Sequence, residues 1–514
     1  MNLRPPRGAL ALAALTLAFV GVSGCSSDSG SSTTSSSAAG AIRDGGTLRV
    51  GILGSSADTL DVAQATSPLA YAVALNVFDS VALLQGSEIT YRLAEAVTPN
   101  DDATQWTITV REGVTFHDGT DLTADDVLYS LRYLSESPNY ASLWSGVDWD
   151  ASTSDGEHTV VVAFSAPKAA FVEEALARMS VVFPEGSTQD DFAKPVGSGP
   201  FEVESFSADT GAVLVKNEDY WGDVAHLDEV QLVPMADPTA RVTALTGGQI
   251  DYASGITATG AETLASSKDV TVQNLGVENS SAFLVTMNTT TAPFDDPEVR
   301  TAFRELVDRE QLVEVVFRGE GEVGNDILGM GLPGYDTTIP QRAHDPEGAT
   351  AVLQEKGVTE VGILAAETTP GIMDAVRLLQ QQLDDAGITL TITEADPANL
   401  FHDMQAIYSA QMFATYAVNV PVASMLMIMT SAGSPFNYSQ WNDSAYNTLL
   451  TESMSIIDPT ERQENLDALQ EMLWNDGGDI LWGYQPALSA SVSTLTGMTV
   501  AQNNPLFGGA GYTG

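Results

Sequence analysis

The stretch VGILAAETTPGIMDAVRLLQQQLDDAGITLTI, residues 361–392, decides the fold class. Val361 to Leu364 is a short apolar run of strand character. Ile372, Ala375, Val376, Leu379 and Leu383 then recur in steps of three and four, which places them on one helical face. Gly387 stops that helix, because glycine adopts the left-handed conformation of a helix end without steric cost. Ile388, Leu390 and Ile392 alternate as a second strand. Strand, helix and strand in this compass form a βαβ unit, so part of the sheet is expected to be parallel. The expected class is α/β with mixed sheets.

The same reading extends outward. Gly45 and Gly46 precede Thr47–Leu53, which reads as the first strand. Trp106, Ile108 and Val110 alternate on one face of Gln105–Val110. Arg111-Glu112-Gly113 turns the chain, and Val114–His117 leads into an Asp118-Gly119 turn. Thr123 opens a helix with Asp126 in capping-box position, carrying Val127, Leu128, Leu131 and Leu134 inward. Asp296-Pro297 starts another helix, with Val299, Ala302, Phe303 and Leu306 at core spacing. Asp308 restarts it as a second N-cap, and Gly319 closes it. Asp458-Pro459 caps a last long helix bearing Leu466, Leu469 and Leu473. There is no internal repeat.

The chain has 514 residues, enough for two or three domains. Its formal charge is -47, from 21 Lys+Arg against 68 Asp+Glu. That excludes a basic nucleic-acid face and electrostatic adhesion to anionic lipid. The acids are spread along the whole chain, which reads as a solvated acidic surface. The one cysteine, Cys25, excludes an intrachain disulfide and a cysteine-based zinc site.

Cys25 follows Arg4, Arg7, an apolar run from Ala9 to Val22, and Ser23-Gly24. A basic start, a short apolar run and small residues form an export signal. The segment resembles a bacterial lipobox, which implies cleavage after Gly24 and lipid on Cys25. The run is short of the roughly 20 residues that a membrane span needs, which disfavours an uncleaved anchor. Residues 26 to 40 are nearly all Ser, Thr, Gly and Ala and read as a flexible tether. The expected organisation is a signal peptide at 1–24, a tether at 25–43, and a folded part from Asp44. It places the protein outside the cytoplasmic membrane and moored to it.

Several motifs, in order, resemble the extracellular solute-binding proteins of family 5, which serve peptide, oligopeptide and nickel ABC importers. Trp106 to Val127 lies close to the family pattern W-x-F-x-L-R-x-G-V-x-F-H-D-G-x-x-x-T-A-x-D-V. Gly197-Ser198-Gly199-Pro200-Phe201 and Asn217 to Gly222 match next. Ala240-Arg241, Gly247 to Asp251, Pro293 to Arg300, Asp308-Arg309 and Asp458 to Arg462 follow. The resemblance implies a two-lobed flytrap of the type II periplasmic-binding-protein fold. By that analogy lobe I comprises 44–87, 196–286 and 485–514, with an inserted subdomain at 88–195. Lobe II is 287–484, with crossings near Met287 and Tyr484. The implied function is capture of a small solute by hinge closure and delivery to a membrane permease, by a monomer with no cofactor.

Most of the motif residues read as structural. His117-Asp118-Gly119 suits a turn better than a metal site or a base. Gly197–Pro200 lacks the G-x-S-x-G spacing of a nucleophile elbow. Tyr220 and Trp221 read as an anchor. The five histidines are scattered, and no HExxH, phosphate loop or dinucleotide fingerprint occurs. No catalytic residue and no metal ligand is expected, which leaves a secreted hydrolase as the weaker rival. A second rival is a sensor or interaction lipoprotein that keeps the fold without import.

The expected ligand residues are Asp58, Thr59, Glu367, Tyr416, Asn419, Asn437, Tyr438 and Trp441. Tyr416–Pro421 falls where peptide-binding relatives carry an acid for the peptide ammonium, and Asn419 is neutral there. Glu367, Thr368 and Thr369 stand where such relatives carry an Arg for the carboxylate. Both changes tilt the expected solute from an ordinary peptide toward a cationic, amine-bearing or hydroxyl-rich one. On this placement Asn419→Asp is expected to strengthen binding of amines. Met425, Met427 and Met429 read as core.

Overall fold

The computed structural model describes residues 41–397 and 399–514; the expected signal peptide at 1–24, Cys25 and the expected tether lie outside the described residues. The βαβ unit is present. Strand Glu360–Ala365 lies parallel to Thr389–Glu394, with Val361 opposite Leu390 and Ile363 opposite Ile392. Helix Ile372–Asp385 connects them and buries Ile372, Ala375, Val376, Leu379 and Leu383 as the spacing predicts.

This unit forms one side of a six-stranded sheet in the order 322–323, 479–486, 280–287, 412–418, 360–365, 389–394. Strand Ser280–Met287 is antiparallel to both neighbours, while 360–365 is parallel to both of its own, so the sheet is mixed. A seven-stranded sheet has the order 270–274, 488–492, 252–256, 47–52, 229–234, 211–216, 201–207. The first strand Thr47–Ile52 lies near its middle, parallel to both neighbours. A third, antiparallel sheet joins 94–99, 105–110, 159–164 and 147–154. Helix Ala124–Ser135 packs on it. The Asp126 carboxylate accepts from the Thr123 backbone N–H at 2.8 Å, and the capping box is present as expected.

The chain passes from the seven-stranded to the six-stranded sheet at 275–279 and returns at Ala487. Ser280–Met287 is one unbroken, largely buried strand of the second sheet. The first crossing therefore precedes it rather than lying near Met287. The two connections are bonded to each other: Leu275 N–H donates to Ala487 O at 3.0 Å, and Ala487 N–H to Asn279 O at 3.2 Å. Residues before Asp44 already belong to the fold. Ile42–Arg43 pairs with Tyr512 and Thr513, because Ile42 finds an apolar edge over Gly511.

Gly197 and Gly199 lie against the end of helix Pro68–Val77. A Cβ at Gly197 would stand 2.0 Å from Val77 O, so no other residue fits. His117 locks this approach. Its Nδ1 accepts from Gly197 N–H at 3.2 Å, and Nε2 lies 3.0 Å from Gly199 O, which makes Nε2 the protonated nitrogen. Nearby, Trp221 Nε1 donates to Asp79 Oδ2 at 2.7 Å and Tyr220 Oη to Asp79 Oδ1 at 3.1 Å. Tyr220 and Trp221 are anchors, as read.

The six-stranded half encloses a charged core. Asp326 is buried and receives Arg309 at 2.6 Å, Arg342 at 2.5 Å and the Leu481 backbone N–H at 3.1 Å. Arg304, also buried, donates to the carbonyls of Leu473, Trp474 and Asn475 at the end of helix Pro459–Asp476. That is where a helix presents unpaired acceptors and partial negative charge.

Two outcomes follow from these contacts. Asp326→Ala strands two buried guanidinium groups and should cost about 3–5 kcal/mol in urea unfolding. Burial lowers the His117 pKa below the ordinary 6.5, outweighing the Gly199 carbonyl and the acids Glu202, Asp79 and Asp118. The unfolded chain then takes up that proton first. This share of stability is present above about pH 6.5 and is lost as pH falls toward the folded value. His117→Gln should flatten this part of the stability–pH profile; an unchanged slope below pH 6.5 would exclude the assignment.

Candidate functional site

Between the two halves lies a cleft of two chambers. One holds about 320 Å³ and the other about 550 Å³, and Arg178, Val418, Val420 and Ile428 line both. Strand Met412–Val418 builds the far wall. It is buried up to Thr415, then emerges so that Tyr416, Ala417 and Val418 face the opening. Pro421 turns the chain into helix Val422–Met429, whose Met425 and Met429 face the larger chamber. Helix Pro68–Val77 supplies Tyr71 and Leu75 to the near wall, and the turn after helix Ala124–Ser135 supplies Asn139 and Tyr140.

The chambers differ in chemistry. The smaller one is polar, with Asn139, Glu278, Asn279, Asn419 and Gln502 to Asn504 in its walls. The larger one is apolar, with Phe401, Met404, Met425, Met429, Phe436 and Tyr438. Of the nine exposed large apolar side chains among the described residues, Phe401, Val418, Ile428 and Phe436 line this one chamber. Such clustering marks a binding surface rather than the scattered exposure usual on a protein surface.

Charge enters at two points. Arg178 is half-buried, and its guanidinium has no hydrogen-bond or ion-pair partner among the described residues. Burial lowers its pKa, opposed by the charges of Glu174 and Tyr71. The Glu278 carboxylate likewise has no hydrogen-bond or ion-pair partner among the described residues. Burial raises the Tyr438 phenol to about 12 and raises that of Tyr140 further, so both stay protonated.

The far side of the cleft is bridged. Arg462 on helix Pro459–Asp476 donates to Ala169 O at 2.8 Å and pairs with Glu173 at 2.6 Å. Ala169 N–H donates to Met454 O at 2.9 Å. These bonds join the segment before Arg178 to the six-stranded half.

Three of the expected ligand residues come together here. Tyr416 and Tyr438 line the apolar chamber and Asn419 the polar one. Asn419 Nδ2 donates to Val277 O at 2.9 Å and Met330 O at 2.8 Å, which fixes the amide orientation. Its Oδ1 is buried without a partner.

The other five residues lie elsewhere. Glu367 accepts from Gly371 N–H at 2.9 Å and Met373 N–H at 2.8 Å, capping the helix that follows. Asp58 accepts from Ser55 N–H, and Thr59 Oγ1 from Asp61 N–H. Asn437 ties its own loop through Thr430, Ser431 and Trp441 carbonyls. Trp441 packs edge-on to Tyr446 in the core. None of these five lines either chamber.

Sequence reasoning missed Arg178, Glu278 and the Gln502–Asn504 loop. Arg178 carried one usable signal, a cation inside the apolar run 171–183 of an acid-rich chain. Met425 and Met429 are core residues as read, and they also line the apolar chamber; Met427 is exposed. No group of three or more His, Cys, Asp or Glu that could hold a metal occurs among the described residues.

The family model of the bacterial extracellular solute-binding proteins, family 5 Middle, matches residues 88–438. The glutathione-binding protein GsiB of Escherichia coli (strain K12) is 24% identical over 469 residues, 87% of this chain and 91% of that one. The structure of HbpA2 from Haemophilus parasuis superposes with a TM-score of 0.81 at 19% identity, over 91% of this chain and 100% of that one. The ABC transporter substrate binding protein CtaP from Listeria monocytogenes gives 0.80 at 20% identity, over 90% and 100%.

The contacts of Asn419 set a cost on changing it. An acid at that position would face the Val277 and Met330 carbonyls that the amide now satisfies. Asn419→Asp should therefore destabilise by about 2–3 kcal/mol in urea unfolding. Unchanged stability would show that those two bonds are not made.

Proposed function

Because the chain belongs to the bacterial extracellular solute-binding proteins of family 5, we propose that it is the capture component of an ABC importer, lipid-anchored through Cys25, monomeric, and specific for a small peptide-like solute. The observation that carries this reading is the cleft, walled by residues of both halves and bridged on its far side by Arg462. The relative named for glutathione binding supports a peptide-like cargo. So does the cleft, which offers an unpaired cation, an unpaired carboxylate and a run of amides. The tilt toward a cationic, amine-bearing or hydroxyl-rich solute loses its support from Glu367, whose carboxylate caps a helix.

The hinge in this reading is the bonded pair of connections at 275–279 and Ala487. The six-stranded half rotates about it, and solute stabilises the closed state by touching both walls. A solute drives closure only through its extra affinity for that state, and moving a 1:99 equilibrium to 99:1 takes about 5.5 kcal/mol of preference. The closed form is then the one that docks on the permease.

The test is native mass spectrometry of co-purified solute with a thermal-shift panel of peptides, polyamines, sugars and metals. A bound solute at a hundredfold excess over Kd should add about 2.7 kcal/mol of stability. Arg462→Gln touches no chamber-lining residue, yet should weaken binding by making the closed state rarer, and solution scattering should report a more open particle. Absence of any bound or stabilising solute would favour a sensor or interaction role.

A further inference from the structure

We propose that the cleft selects peptides by an apolar C-terminal residue, with the terminal carboxylate on Arg178, the terminal ammonium toward Glu278 and Asn419 Oδ1, and the apolar side chain in the chamber of Phe401, Met404, Met429 and Phe436. This inference rests on the reading of the cleft as the solute site. Arg178 belongs to the walls of both chambers, whereas Glu278 and Asn419 belong to the polar chamber alone. A carboxylate held at Arg178 therefore sits at the junction. The side chain carried on the adjoining carbon enters the apolar chamber, and the rest of the peptide extends into the polar one.

The unspent bonding capacity of the walls matches this solute. The Arg178 guanidinium has donors without acceptors, and a planar carboxylate is the acceptor that suits its fork. Asn419 is about nine-tenths buried, and its Oδ1 has no donor, which a peptide ammonium or N–H would supply. Glu278 supplies the opposite charge in the same chamber. Glu174, the acid nearest Arg178 in sequence, is paired with Lys168 through Oε2, makes no ion pair with Arg178, and keeps a buried Oε1 without a hydrogen-bond partner. The exposed Phe401, Ile428 and Phe436 would lose their contact with water against an apolar side chain.

Calorimetric titration of the purified protein tests the orientation. The probes are Ala-Phe and Ala-Ala-Phe, their Gly-ending counterparts, their C-terminal amides, and their N-acetyl forms. The Phe-ending peptides should bind at least about tenfold tighter than the Gly-ending ones, the gain expected from burying one aromatic side chain. Amidation should cost at least about tenfold, as loss of a charge-assisted bond does. Arg178→Gln should abolish the difference between acid and amide, and Arg178→Lys should restore part of it. Glu278→Gln should do the same for the difference between free and acetylated amines. Gly-ending peptides that bind as well as Phe-ending ones, or an amide penalty that survives Arg178→Gln, would overturn the orientation and leave the solute-receptor reading standing. Binding of a non-peptide solute alone would overturn the peptide inference. No solute binding of any kind would take down the underlying reading as well.

Discussion

The six-stranded half depends on one buried carboxylate. Asp326 holds Arg309 and Arg342 and also accepts the Leu481 N–H of a central strand. Arg342 lies over the Trp474 ring, and Arg304 and Arg300 reach the same helix end. A strand, three helices and two loops are thus tied at a point where apolar packing alone would be indifferent to their relative placement. The charges are costly to bury, so the arrangement holds only while every partner is present. The walls of the cleft inherit their positions from this point, because Met412–Val418 and Asp479–Pro486 both flank Ser280–Met287.

The same economy explains how so acidic a chain folds. Its few arginines are drawn inward: Arg241, Arg300, Arg304, Arg309 and Arg342 are all buried, several of them on backbone carbonyls. Its acids are used at the surface. Asp237, Asp296, Asp308, Asp345, Asp443 and Asp458 each cap a helix N-terminus, where a carboxylate meets unpaired N–H groups and a favourable dipole. Arg178 in the cleft, whose guanidinium has neither a hydrogen bond nor an ion pair among the described residues, stands apart from these buried and bonded arginines.

The fold was readable because its signals are local. Helix periodicity at 372–383, Asp-Pro caps at 296 and 458, and the alternation at 106–110 each act within a few residues, and each element formed as read. The ordered motifs added the family. The site was less readable, because it is assembled from segments far apart in sequence. Of the expected residues, Tyr416, Asn419 and Tyr438 line the chambers. Glu367 and Asn437 were misplaced for a physical reason: a polar side chain beside a helix start or loop turn is satisfied by its own backbone. Arg178 and the Gln502–Asn504 loop meet the cleft only through tertiary packing, which no periodicity reports.

The pairing of Ile42 with Thr513 and of Arg43 with Tyr512 has a topological consequence. Residues 42–43 and 512–513 thus lie on one sheet edge, a strand's width apart. Joining them directly and cutting elsewhere would break no strand pairing other than at the new cut. A reporter fused after Gly514 would sit beside Ile42–Arg43 and would ride with the seven-stranded half.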